Sequence, residues 1–92
     1  MSQDIETRIE QTTLMLAASC REAGFVLSGD QRVSECVAAE LLGISKGSLR
    51  NMRNTWGTAP KFYRTPVDGS RISYRISDLA EWIETQSALN DI

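Results

Sequence analysis

Residues 37–53 read Val-Ala-Ala-Glu-Leu-Leu-Gly-Ile-Ser-Lys-Gly-Ser-Leu-Arg-Asn-Met-Arg. Ala38, Leu41 and Leu42 lie three and four apart, the repeat of one helix face. Gly43 follows them where a C-terminal cap needs positive φ. Ile44 is an apolar residue inside the turn, able to plug the space between two helices. Ser45 suits the N-cap of a second helix, because its hydroxyl can accept from an otherwise orphan backbone N–H. That helix puts Leu49 and Met52 at core spacing and Lys46, Arg50 and Arg53 at exposed positions. Two short helices joined by a tight turn, with bases on the outer face of the second, form the pattern of a helix-turn-helix. In that motif the second helix enters the DNA major groove.

Upstream of this stretch, Ser34 can cap the first helix, which covers about residues 35–42, and the second covers about 46–54. Residues 4–23 also read as a helix. Ile5, Ile9, Leu16, Cys20 and Ala23 fall near one face, with Thr12 and Thr13 filling the gap. Ser2 or Asp4 can cap that helix and Gly24 can end it. Phe25-Val26-Leu27 is a short apolar run, and Ser28-Gly29-Asp30 reads as a loop.

Downstream, residues 56–60 form an exit closed by Pro60, which cannot continue a helix interior. Residues 61–65 and 71–75 are β-rich and partly alternating. Pro66-Val67-Asp68-Gly69-Ser70 lies between them, and its Asp-Gly pair signals a turn. Pro66 makes the first strand a short or edge one. Ser77-Asp78 starts a last helix, with a cap and an acid near its positive end. Leu79, Trp82 and Ile83 give that helix an apolar face, which Leu89 and Ile92 either extend or leave as a tail. The expected fold is mainly α with a small β-hairpin: a winged helix-turn-helix with an extra N-terminal helix. Residues 1–30 form a helical extension and linker, and residues 31–88 form the domain.

Ninety-two residues suit one small domain. At this size roughly 60–65% of the unfolded surface can be buried, a marginal core. The net charge of −2 conceals a segregation. Residues 1–30 carry five acids and two bases, residues 31–76 carry eight bases and three acids, and residues 77–92 carry four acids and no base. A polyanion responds to the local field of the middle segment, not to the whole-chain balance.

There is no histidine, and Cys20 and Cys36 are sixteen apart without a C-x-x-C. A metal site is not expected from that set, and the two thiols are expected to be reduced and at least partly buried. No phosphate-cradling glycine loop or nucleophile elbow is present. An enzyme is therefore not expected, nor is a cofactor. Neither a signal peptide nor a membrane span is legible, so a cytoplasmic protein is expected.

The ordered set of pieces resembles the small winged helix-turn-helix proteins of the excisionase and MerR-like type, including phage regulators of the AlpA kind. The pieces are Val37 to Ser45, Ser48-Leu49-Arg50-Asn51-Met52-Arg53, Pro60-Lys61-Phe62, Arg71-Ile72-Ser73-Tyr74-Arg75 and Ser77-Asp78-Leu79-Ala80-Glu81-Trp82-Ile83. They cover a little over half the chain. Met52 stands where an aromatic or leucine is common, and the turn of the wing is longer than the usual Gly-centred one. Residues 1–30 have no counterpart in the minimal pattern. The resemblance implies a sequence-specific binder of double-stranded DNA. It would be either a recombination directionality factor, which bends attachment-site DNA for an integrase, or a small transcription regulator.

Arg50 and Asn51 are the best candidates to read bases, through guanine O6 and N7 and adenine N6 and N7 respectively. Lys46, Gly47 and Ser48, in the first turn, suit phosphate or base contact, although Ser48 also suits a local capping hydroxyl. Arg53 suits either a phosphate or an intramolecular ion pair. In the wing, Ser70 and Arg71 could reach the minor groove while Lys61 and Arg64 hold the backbone. Arg75 is expected to pair with Asp78. Trp56, Phe62, Tyr74 and Trp82 are expected in the core, and Tyr63 is the aromatic expected to be exposed.

A second class of function is a protein-interaction module. It would act through the acidic N-terminal helix on an integrase or RNA polymerase. A homodimer or cooperative assembly through residues 4–23 is expected in either case, because one DNA-reading helix buries little surface.

Overall fold

The computed structural model describes residues 4–65 and 71–90. Helix α1 (Ile5–Ala23) leads to strand β1 (Arg32–Ser34) and helix α2 (Glu35–Leu42). Helix α3 (Lys46–Asn51) continues into a π-helical turn (Met52–Trp56). Strands β2 (Tyr63–Thr65) and β3 (Arg71–Arg75) follow, then helix α4 (Ile76–Asn90). The chain is mainly helical, with a small antiparallel sheet in the order β1-β3-β2.

Local chemistry fixes the helix ends. Asp4 caps α1 by accepting from the Thr7 N–H at 2.7 Å. Ser34 caps α2 by accepting from Val37, and Ser45 caps α3 by accepting from Ser48. Gly24 and Gly43 sit at φ 75° and 74°, and the next residue's N–H bonds back to the last turn in each case. That paired bond satisfies carbonyls the helix leaves open, and the left-handed backbone it needs suits glycine.

The sheet has one strand more than the expected hairpin. Residues 32–34, of which the sequence gives a role only to Ser34 as a cap, pair with β3, with Val33 opposite Tyr74 and Ser34 opposite Ser73. A three-residue strand is too short to display alternation, and its partner is distant in sequence. β2 pairs with the other edge of β3, Arg64 opposite Ile72. It starts at Tyr63, so Lys61 and Phe62 precede the strand. The expected turn at residues 66–70 lies outside the described residues.

The core gathers one or more residues from each helix. Leu16, Ala17 and Cys20 of α1 are buried with Val33, Ala38, Leu49, Tyr74, Ile76, Leu79 and Ala80. The boundary expected near residue 30 falls in the connection between α1 and β1, and α1 packs on α4 across it. Thr12 donates to Glu84 at 2.9 Å, and the Arg8 guanidinium lies 3.5 Å from the same carboxylate. Ile5 and Ala23, expected on the core face, are exposed at the two ends of α1. No helix among the described residues is long and apolar enough to cross a membrane.

Three further expectations are corrected. The last helix begins at Ile76, not at a Ser77 cap, and the Ile76 N–H donates to the Gln31 carbonyl at 3.0 Å. β3 thus passes directly into α4. Cys36 is exposed, because it stands in the first turn of α2 on the side away from the core. Trp56 is 61% exposed. A continuous α-helix would hold it four residues beyond Met52 on the core side, but i→i+5 bonding puts more residues in each turn and rotates it outward. The Gly57 N–H donating to the Met52 carbonyl closes that wider turn.

Leu16 and Leu14 face opposite ways on α1, at 5% and 70% exposure. Leu16→Ala should cost about 3 kcal/mol, the lower middle of the range for buried leucines. At this chain size that lowers Tm by about 10 °C or more. Leu14→Ala should change stability by less than about 0.5 kcal/mol. Thermal denaturation of the two variants checks both values, and equal losses would contradict the packing of α1.

Candidate nucleic-acid interface

Helix α3 presents Lys46, Gly47, Ser48, Arg50 and Asn51 as exposed residues, while Leu49 is fully buried beneath them. The burial of Leu49 fixes the rotation of the helix and so the outward face. A β-carbon at Gly47 would meet only open space beside the Ser45 hydroxyl. Ser48 accepts from the Ser45 hydroxyl at 2.9 Å, which ties it into the cap.

Lys46 and Arg50 of α3, Arg71 of β3, and Arg53 of the π turn line one groove of about 550 Å³. The groove opens where β1 ends. The chain leaves the sheet at Ser34 to begin α2, so Ile72 and Arg71 of β3 extend past it without a β1 partner. Among the described residues, Arg50 and Arg71 make no hydrogen bond or ion pair with another side chain.

Arg53 takes the intramolecular of its two expected roles. Its Nε and Nη2 donate to the two oxygens of Glu35 at 2.8 and 3.1 Å. Tyr74, fully buried, donates its hydroxyl to the same carboxylate at 2.8 Å. The Arg53 guanidinium also stands 5.6 Å from the centre of the Phe62 ring. The guanidinium is therefore engaged within the protein, although the Arg53 side chain still lines the groove.

Burial would push the Glu35 carboxyl up. The hydrogen bonds from Arg53 and Tyr74, with the Arg53 charge, outweigh burial and hold it below its ordinary value. The same burial, together with donation to Glu35, raises the Tyr74 hydroxyl well above the usual phenol range. The groove's own acid is thus ionised and neutralised at once.

The remaining candidates divide. Lys61 lies in a different groove of about 230 Å³ with Asp78, Glu81 and Trp82 of α4. Arg64 is exposed with its guanidinium 5.8 Å from the Phe62 centroid, sharing that ring with Arg53. Ser70 lies outside the described residues. Arg75 does not pair with Asp78. Its guanidinium reaches Asp30 at 3.9 Å and stands over the Tyr63 ring. Asp78 instead accepts from the Tyr63 hydroxyl at 3.2 Å. That bond half-buries Tyr63, the aromatic expected to be exposed. Phe62 and Tyr74 pack as expected, and Trp82 is half-buried with its indole N–H donating to the Thr58 carbonyl.

Sequence reasoning missed Glu35 as a groove residue. In the sequence it counted only as one of the three acids of residues 31–76. Its link to Arg53 and Tyr74 spans 18 and 39 residues, beyond any local pattern. Among the described residues, no group of three or more His, Cys, Asp or Glu could hold a metal ion. No family model matches the chain, and neither the curated proteins nor the solved structures offer a match.

The Glu35–Arg53 pair stands between the exposed case, worth about 0–1 kcal/mol, and the fully buried one, where loss of a partner costs about 3–5 kcal/mol. Glu35→Ala should cost about 2 kcal/mol in chemical denaturation. Because the folded protein holds Glu35 below 4.5, its ordinary value, this stabilisation is present above that pH and fades as pH falls below it. Glu35→Gln should flatten the acid side of the stability profile. An unchanged acid-side slope would contradict the pairing.

Proposed function

We propose that this chain is a sequence-specific double-stranded DNA-binding protein of the winged helix-turn-helix type. α2 and α3 form its helix-turn-helix, and β2 with β3 forms its wing. The observation that carries the proposal is the convergence of Lys46, Arg50 and Arg71 on one groove whose own acid is neutralised from within. Among the described residues, a polyanion meets the exposed Lys46, Arg50 and Arg71 there and no uncompensated carboxylate.

In this reading Arg50 and Asn51 reach base edges in the major groove. Lys46, Gly47 and Ser48 approach a phosphate through the first turn of the capped helix. Arg71 touches the adjacent backbone or minor groove, and exposed Arg64 contributes at longer range. The likeness of residues 33–85 to excisionase and MerR-like proteins supports the same reading. It leaves two roles, recombination directionality factor and transcription regulator, which share duplex binding. A cofactor, a metal and a catalytic step have no part in it.

A second reading, a protein-interaction module, draws on Leu14 and Met15, which are 70% and 60% exposed on the outer face of α1. The two readings coexist if a dimer or cooperative assembly on DNA uses that face. An integrase or RNA polymerase would be the alternative partner.

Fluorescence anisotropy with a labelled duplex from the DNA flanking the gene, against a scrambled duplex, tests the proposal. Affinity for the flanking duplex should exceed that for the scrambled one and fall steeply with salt, because phosphate neutralisation releases counterions. Arg50→Ala should cost about 1–3 kcal/mol on the preferred duplex and reduce discrimination. Arg71→Ala should weaken both duplexes alike and lower the log–log salt slope by about 1. Binding that survives Arg50→Glu combined with Arg71→Glu would contradict the interface.

A further inference from the structure

A second groove adjoins the basic one, and the two share Ser34, Arg71 and Ile72. It measures about 610 Å³, within the usual range of small-molecule sites. Phe25, Val26, Val33, Val37 and Ile72 supply its apolar lining. Val26 is 84% exposed at its mouth. DNA phosphate and sugar offer nothing that matches such a lining. Water covers it at a cost proportional to its apolar area.

Among the described residues, one guanidinium of its lining has no side-chain partner. Arg32 also lines the groove, but it is held by Asp30 at 2.9 Å and by Ser73 at 3.2 Å. Arg71 has no such partner among the described residues. The guanidinium fork matches a carboxylate in bidentate geometry. An apolar trench about the size of a small ligand, with one unpaired arginine at one end, is complementary to a hydrocarbon body that ends in a carboxylate.

We propose that this groove binds a small amphipathic carboxylate, with its hydrocarbon body against Phe25, Val33, Val37 and Ile72 and its anionic head on Arg71. The binding stands on this groove alone. One consequence rests on the proposed DNA interface. Arg71 belongs to both grooves, so a bound carboxylate withdraws it from the phosphate backbone. Such a ligand would lower DNA affinity by competition for one side chain, with no change of fold.

Octanoate is a suitable probe, with octanamide as its uncharged counterpart. Amide chemical shifts of the ¹⁵N-labelled full chain, titrated with each, decide the matter. The expected result is saturable octanoate shifts confined to residues 24–37 and 71–73, with weaker binding of octanamide at the same place. Arg71→Gln should weaken octanoate at least fivefold and leave octanamide unchanged, and its own spectrum reports whether it is folded. Val37→Gln should weaken both. Absence of saturable shifts overturns the proposal. So does octanoate binding that is insensitive to Arg71→Gln, or that scatters over the basic surface. These outcomes are read without DNA, so failure of the ligand site and failure of the DNA interface remain separate results.

Discussion

The three-way contact of Glu35, Arg53 and Tyr74 joins the start of α2, the turn after α3 and the middle of β3. All three contribute residues to the basic groove, beside Ser34 of β1 and Lys46 and Arg50 of α3. Glu35 has two oxygens, and Arg53 occupies both while Tyr74 shares one. An ion pair at the edge of a core costs desolvation that attraction alone seldom repays. Here the two guanidinium hydrogen bonds and a buried hydroxyl satisfy the carboxylate, so the pair fixes geometry without leaving an orphan charge. Movement of α3 relative to β3 would break either the two Arg53 bonds or the Tyr74 bond, according to which partner Glu35 follows.

That contact also decides which charges face outward. It consumes Arg53, which sequence reasoning placed among the DNA contacts, and cancels Glu35, which would otherwise repel phosphate. Lys46, Arg50 and Arg71 remain as the outward set. The chain as a whole is acidic, but eight of its ten bases lie in residues 31–76. Of the α4 acids, Asp78 and Glu81 share a groove with Lys61, and Glu84 faces Arg8 of α1. At the basic groove the segregation of the sequence is kept: among its described lining residues the one carboxylate is Glu35, and Arg53 neutralises it, which leaves a local field suited to a polyanion.

Legibility in the sequence followed the range of the signal. The starts of α1, α2 and α3 were readable because a cap is a chemical event within three or four residues: Asp4 with Thr7, Ser34 with Val37, Ser45 with Ser48. The exposed face of α3 was readable because Leu49 fixes its rotation. β1 was not readable, since three residues carry no period and their partner lies beyond α2, α3 and β2. The π turn was not readable either, because Met52 to Trp56 suit an α-helix equally well. The pairing choices of Arg53, Arg75 and Tyr63 depended on tertiary neighbours. Local spacing put Asp78 beside Arg75, whereas folding gave Asp78 to Tyr63 and Arg75 to Asp30.

The account rests on one surface, the groove between α3 and β3, meeting duplex DNA. Amide chemical-shift mapping of the full chain against a short duplex bearing the preferred site tests it most directly. The account predicts the largest shifts at residues 45–51 and 71–73, with the α4 face and the outer face of α1 little changed at sub-stoichiometric DNA. Shifts concentrated on α1 around Leu14 and Met15, with residues 45–51 unmoved, would contradict it.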